Sequence, residues 1–230
     1  MKASIFPFLA LTLAFVICAG ASGEVIEIFE DDQTFMDKLT NQDTATTIEN
    51  TDDDSFYGDI SVKLGAPATV SNGQRYSPNI PGWTYNVVKD PSAENEVRWI
   101  MFAWKKLEGE GIMIQFPSSG SWGVQPQGGR YFAGVNKTGW AGIQVADEAP
   151  REWEVVIRDL YDDFGAFTMT GMALTQYDNI GLYDSIYLAW SEDELKRLLT
   201  EMTPVEPRSK LAATWGKVKS GDFTSRESDF

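Results

Sequence analysis

The chain has 230 residues, with 34 Asp and Glu against 19 Lys and Arg, a formal net charge of −15 and no histidine. Such an acidic chain repels nucleic-acid backbones and anionic membrane surfaces, so it suits a neutral partner or a cation. Without histidine there is no Ser-His-Asp triad, no imidazole base and no histidine metal site.

The N-terminus has the layout of a signal peptide. Lys2 precedes an apolar run from Ile5 to Ile17, and Ala19-Gly20-Ala21 offers small residues for cleavage. The run is shorter than the roughly 20 residues that span a bilayer. Cleavage after Ala21 therefore predicts a product that does not insert into a membrane and is secreted, periplasmic or held in the cell envelope. Cys18, the one cysteine, leaves with the signal, and Ile17 is bulky where a lipidation site takes a small residue. The mature chain then has neither a thiolate nucleophile nor a disulfide. Three segments are expected: a signal peptide at 1–21, a β-domain at 22–203 and a weakly ordered tail at 204–230 that docks through Trp215.

Short alternating segments separated by polar turns predict strands at Glu24–Phe29, Thr44–Glu49, Ile60–Leu64 and Trp83–Val88. Val97–Lys105 is apolar on both faces, the pattern of a central strand. Ile112–Phe116, Arg130–Ala133, Glu152–Leu160, Phe167–Thr175 and Tyr183–Trp190 complete the set. Short strands at this spacing predict an all-β, antiparallel β-sandwich or barrel. One short helix follows: Ser191 and Glu194 form a capping box, and Leu195, Leu198 and Leu199 make an apolar stripe running to Met202. It is expected to pack against an end of the sheet. The remaining enzyme chemistry is a carboxylate pair, as in glycoside hydrolysis. With 34 acids, a suitable spacing arises by chance, and solvated surface carboxylates are the default reading.

Arg98–Lys106 followed by Gly111–Gln115 resembles the central hairpin of secreted jelly-roll domains. Glu152–Leu160 with Asp163-Phe164-Gly165 resembles their "W…V…DL…DFG" strand and turn. Phe167–Thr175 and Tyr183–Leu188 look like their last two strands, and Phe29–Asp32 and Tyr57–Val62 like their opening ones. Over roughly residues 24–190 the chain thus resembles the galactose-binding-like β-sandwich, a jelly-roll group that includes many carbohydrate-binding modules. Within that group it is similar to secreted bacterial domains of unknown function.

The resemblance implies two kinds of site. One is a platform on which a glycan or cell-surface polysaccharide stacks against aromatic rings while polar groups bond its hydroxyls. Trp122 and Trp140 lie in Gly- and Ser-containing turns. Trp83 and Tyr131 would join them, with Arg130 and Asn136 as polar partners. The competing reading is that such rings plug the ends of the sandwich, and it takes precedence for Trp83 and Trp153. Trp99 and Trp104 have opposite strand parity, so they cannot both face the core, and one should line the other face or a groove. The second implied site is a structural Ca²⁺ where the first and last strands meet, with Glu30, Asp59 and Asp184 as ligands and ordinary turn acids as the competing reading. Asn136-Lys137-Thr138 is also a glycosylation sequon. The leading function is a noncatalytic carbohydrate-binding module. The alternatives are a structural or adhesion protein of the cell envelope and a carboxylate-dependent polysaccharide hydrolase or lyase.

Overall fold

The computed structural model describes residue 23 and residues 25–43, 46–66 and 72–202. The expected signal peptide with Cys18, and the tail with Trp215, lie outside the described residues.

The chain enters through β1 (Ile26–Phe29), a single helical turn α1 (Phe35–Lys38), β2 (Asn41–Asp43), β3 (Thr47–Thr51), β4 (Ser61–Gly65) and β5 (Gly73–Ser77). Then come β6 (Tyr85–Val87), β7 (Glu96–Val97), β8 (Trp99–Lys106) and β9 (Gly111–Gln115). A loop containing a 3₁₀ turn at Pro126–Gly129 leads into β10 (Arg130–Gly134), β11 (Ile143–Ala146) and β12 (Glu154–Asp159). The chain ends through α2 (Leu160–Phe164), β13 (Phe167–Met169), β14 (Met172–Tyr177), β15 (Ile180–Ala189) and α3 (Glu192–Glu201).

Two large sheets result. The first runs β12-β8-β15-β4-β3, with β1 on β15; the second runs β11-β10-β9-β14-β5-β2; a small third sheet runs β13-β6-β7. Pairing is antiparallel except between β10 and β11 and between β6 and β7. The expected antiparallel β-sandwich with one short C-terminal helix is the fold.

β8 shows why the layers pack. Ile100, Phe102 and Trp104 alternate into the main core, where they meet Ile112 and Ile114 of β9 and Leu174 of β14. Trp99 and Met101 alternate outward into a second apolar cluster with Tyr187, Ala189 and Leu195. The two tryptophans thus serve opposite faces, and Trp99 lies under α3 rather than in a groove. α3 begins with the expected capping box: Glu194 N donates to Ser191 Oγ at 3.4 Å and Ser191 N to Glu194 Oε2 at 3.0 Å. Its stripe covers the outer face of the first sheet and not an end of it.

Two expected strands break. Asp159 accepts from Tyr161 N (3.1 Å) and Asp162 N (3.0 Å), which caps α2 and ends β12. The 167–175 segment divides into β13 and β14 at Gly171, where a Cβ would lie 2.0 Å from the Ser77 carbonyl. The small third sheet is therefore left there and the second one entered.

Candidate functional site

Strand parity builds the site on the face of the second sheet turned away from the core. Register places Arg130 beside Gln115, Gln115 beside Ala173, and Ala173 beside Tyr76. The next row of the same facing is Phe132, Met113, Thr175, Gln74 and Asp43. Among Ala173, Phe132, Met113 and Tyr76, these rows also carry two amides, a hydroxyl, a guanidinium and a carboxylate: Gln115, Gln74, Thr175, Arg130 and Asp43.

Two loops bring indoles over this floor. Residues 116–129 carry Trp122, and the loop is pinned at several points. Ser119 N donates to Thr168 O (2.9 Å), Gly120 N to Thr170 Oγ1 (2.8 Å) and Gln125 Nε2 to Phe116 O (2.9 Å). Residues 135–142 carry Trp140, which is 38% exposed. Together they enclose a groove of about 340 Å³ whose rings are Trp122, Trp140 and Tyr76 and whose polar lining is Arg130, Gln115, Gln74 and Asp43. Tyr76 meets Trp122 edge-on, with centroids 6.0 Å apart. The Arg130 guanidinium lies 5.1 Å from the Trp140 ring centre. Arg130 Nε donates to Gln115 Oε1 at 2.6 Å, Arg130 Nη1 to Ala141 O at 3.2 Å, and Gln115 Nε2 to Thr175 Oγ1 at 2.7 Å. Gly128 makes room for this arrangement: its φ is 70°, and a Cβ there would lie 2.4 Å from Arg130 Nη1.

Three expected groove residues therefore converge, namely Trp122, Trp140 and Arg130. The other three stand elsewhere. Tyr131 follows Arg130 and so faces the core, fully buried against Phe164 (4.8 Å), Phe102 and Phe116, with its hydroxyl donating to Asp163 Oδ2 at 2.7 Å. Trp83 is buried in the main core and packs on Tyr85. Asn136 is spent on the Trp140 turn: Nδ2 donates to Trp140 O at 2.8 Å and Oδ1 accepts from Gly139 N at 3.2 Å. Sequence reasoning missed Tyr76, Gln74, Gln115 and Asp43. A larger cleft of about 610 Å³, between β1 and the small sheet, has Tyr85 as its one ring among Glu27, Glu94 and Asn95. Stacking needs flat apolar faces more than volume, which favours the smaller groove.

The expected metal residues divide in the same way. Glu30 on the end of β1 and Asp184 on β15 are buried side by side. Glu30 Oε2 accepts from Ser185 Oγ (2.9 Å) and Tyr187 OH (3.0 Å), while the buried Glu30 Oε1 has no partner. Asp184 accepts from Phe56 N and Ser185 N, both at 2.7 Å. Burial pushes the Glu30 carboxyl up to about 7, its hydrogen bonds only partly offsetting this. Burial, then the nearby Glu30, pushes Asp184 up to about 8. A register shift in β15 between Asp184 and Tyr187, with Ser185 at φ 48°, accompanies this arrangement. Asp59 stands apart: it is exposed, and its backbone N–H donates to Asp31 Oδ1 at 2.8 Å. Among the described residues no three His, Cys, Asp or Glu side chains converge as a metal site. The orphaned Glu30 oxygen beside the Asp184 carboxylate is the one acceptor here that a hard cation would engage, and Asp59 stands outside this pair.

One further charge is buried in the sandwich. Lys106 Nζ donates to Asp178 O (2.8 Å), Gln176 Oε1 (3.1 Å) and Ile180 O (3.1 Å), tying down the β14–β15 turn. Burial pulls this ammonium down to about 7.

No protein-family model and no curated protein sequence matches the chain. Solved structures do. The glycoside hydrolase domain of Endo-D from Streptococcus pneumoniae R6 aligns over 66% of this chain at 11% identity and TM-score 0.42, and the chain spans only 21% of that protein. The family 30 carbohydrate-binding module of a cellulosomal cellulase of Clostridium thermocellum aligns over 74% of this chain and 99% of its own length, at 13% identity and TM-score 0.44. A family 11 module from the same organism, in complex with a β-1,3-1,4-mixed-linked tetrasaccharide, aligns over 66% and 87%, at 7% identity and TM-score 0.39. The chain has a β-sandwich fold resembling that of carbohydrate-binding modules. The likeness is one of fold.

Proposed function

We propose that the protein is a secreted or envelope-associated, noncatalytic glycan-binding protein and that the groove on the second sheet is its binding site. The observation that carries this reading is the convergence of Trp122, Trp140 and Tyr76 over a floor of Gln115, Gln74 and Arg130. Apolar sugar faces stack on indoles, and amides and a guanidinium bond the hydroxyls. The pinned 116–129 loop holds one ring in place before ligand arrives, which lowers the ordering cost of binding. Asp43 is the lone carboxylate of the lining, whereas hydrolysis needs two flanking the scissile bond. Glu30 and Asp184 would hold a structural Ca²⁺, which would neutralise their mutual repulsion and tie β1 to β15.

The test is a glycan array of neutral and acidic polysaccharides probed with the exported protein, followed by calorimetry on Trp122→Ala and Trp140→Ala. Folded variants with weakened binding are expected. Unchanged binding in both would move the site elsewhere, and an array with no hits would end the glycan reading.

A further inference from the structure

Arg130 is the one buried arginine among the described residues, 7% exposed. Taking a guanidinium out of water is costly unless an anion meets it. Two half-buried guanidinia meet a carboxylate, whereas among the described residues the half-buried Arg75 bonds only the Gln42 amide oxygen and the Leu39 carbonyl. Arg98 pairs with Asp159 at 2.7 Å and Arg158 with Asp163 at 2.6 Å. Among the described residues Arg130 has no carboxylate within ion-pair distance; its protein partners there are the Gln115 amide oxygen and the Ala141 carbonyl. These use two of the five N–H donors that a guanidinium carries.

The surroundings keep this cation in place and leave it accessible. The Trp140 ring lies 5.1 Å from it. Glycines stand at 123 and 128, and a Cβ at 123 would lie 3.5 Å from both Nη1 and Nη2. Arg130 lines the groove together with both indoles. Asp43, the groove's acid, stands on β2, four strands from β10, a backbone separation of roughly 19 Å. The groove therefore has a cationic end beside Trp140 in a molecule whose formal net charge is −15. Burial also destabilises the protonated guanidinium, and an incoming anion would reverse that.

We propose that the groove selects an acidic glycan, with the carboxylate of a uronate residue pairing with Arg130 while Trp122 and Trp140 cover the sugar rings. This rests on the glycan-binding reading above. A carboxylate accepts charge-assisted N–H bonds, and Nη2, which has no partner among the described residues, is the donor left for it. The negative surface disfavours long polyanions, but a Debye length of about 8 Å at physiological salt screens it, so short uronate oligosaccharides are the suitable probes.

The experiment is calorimetric titration of the full exported chain with oligogalacturonate and oligomannuronate, each alongside its own carboxyl-reduced, neutral form. A sulfated galactan oligosaccharide serves as a third anion. The expected result is that a uronate oligosaccharide binds roughly tenfold or more tightly than its reduced form, the scale of one hydrogen-bonded ion pair. Arg130→Gln should erase that preference and Arg130→Lys should keep part of it. The wild-type comparison stands even if a variant misfolds. Equal binding of acidic and reduced forms, or a preference for sulfate over carboxylate, overturns the uronate proposal. If neutral glycans then still depend on Trp122, the groove remains a glycan site. If no oligosaccharide of either charge binds, both readings fail together.

Discussion

The Asn136 amide donates to the Trp140 carbonyl at 2.8 Å, so it sets the turn that presents the ring. Its Oδ1 gathers the Gly139 N–H, the Thr138 hydroxyl and the Tyr177 hydroxyl at 2.7–3.2 Å. Each such bond contributes about 0.5–1.5 kcal/mol net, and water replaces some of them at a half-exposed turn. Asn136→Ala should therefore cost about 1–2 kcal/mol of stability. It should also weaken glycan binding nearly as much as Trp140→Ala, because the ring loses its fixed position. Chemical denaturation and calorimetry on the same samples check both effects. Wild-type affinity in Asn136→Ala would show that the ring does not depend on this turn.

Groove and core tryptophans should respond in different measurements. Covering one large apolar side chain is worth about 1.5–3 kcal/mol, or roughly ten- to a hundredfold in affinity. Trp122→Ala and Trp140→Ala should lose about that much binding while their melting temperatures stay within a few degrees of wild type. Trp104 is fully buried and packs against Phe102 at 4.9 Å. Trp104→Ala should cost roughly 3–5 kcal/mol of stability. A Trp122→Ala protein that unfolds as readily as Trp104→Ala would make that ring a core plug.

The contrast between Trp99 and Trp104 shows what was legible in the chain. Their parity followed from spacing alone, and so did the central place of β8. Trp122 and Trp140 stood out because their turns lack an alternating apolar pattern. Tyr131 did not separate from Arg130, because a strand seen as a string does not say which parity faces the core. The paired strand β9 settles it, since Tyr131 lies opposite Ile114 of the main core and Arg130 opposite Gln115 on the other face. β5 escaped notice because Gly73-Gln74-Arg75-Tyr76-Ser77 contains no aliphatic residue. Gln74 and Tyr76 face the groove and Arg75 bonds the Leu39 carbonyl, so groove-facing polarity hid the strand. Glu30 and Asp184, chosen for their places at the two ends of the fold, do lie side by side. Asp59 stands apart from them because the turn it occupies is tied by Asp31, which also accepts from Ile60 N at 3.0 Å.

Calcium should stabilise the protein through Glu30 and Asp184. A cation that binds only the folded state adds about 2.7 kcal/mol at 100 times its dissociation constant. The melting temperature should therefore fall on chelation with EDTA and recover when Ca²⁺ is restored. Glu30→Gln should blunt the recovery while keeping an acceptor for the Ser185 and Tyr187 hydroxyls, which bond Oε2 in the native protein. A metal-free protein whose melting temperature ignores Ca²⁺ would remove the cation from this site.

In metal-free protein the buried acids and Lys106 should pull stability in opposite directions with pH. The Glu30 and Asp184 carboxyls rise from 4.5 to about 7 and from 3.8 to about 8. Between pH 5 and 8 the folded state thus holds protons that the unfolded chain has released, so stability falls as pH rises. The Lys106 ammonium drops from 10.5 to about 7 on folding. Above pH 7 the unfolded chain holds the extra proton, so this contribution rises with pH until the unfolded amine deprotonates. The two slopes meet in a stability minimum near pH 7 to 8. Glu30→Gln should flatten the acid side of that minimum and Lys106→Met the alkaline side. Calcium should fill in the acid side, because the ion replaces the protons that the carboxylates would otherwise keep. Thermal melts in EDTA from pH 5 to 9 provide the check. A metal-free profile that climbs steadily from pH 5 to 7 would contradict the burial of these two acids as a repelling pair.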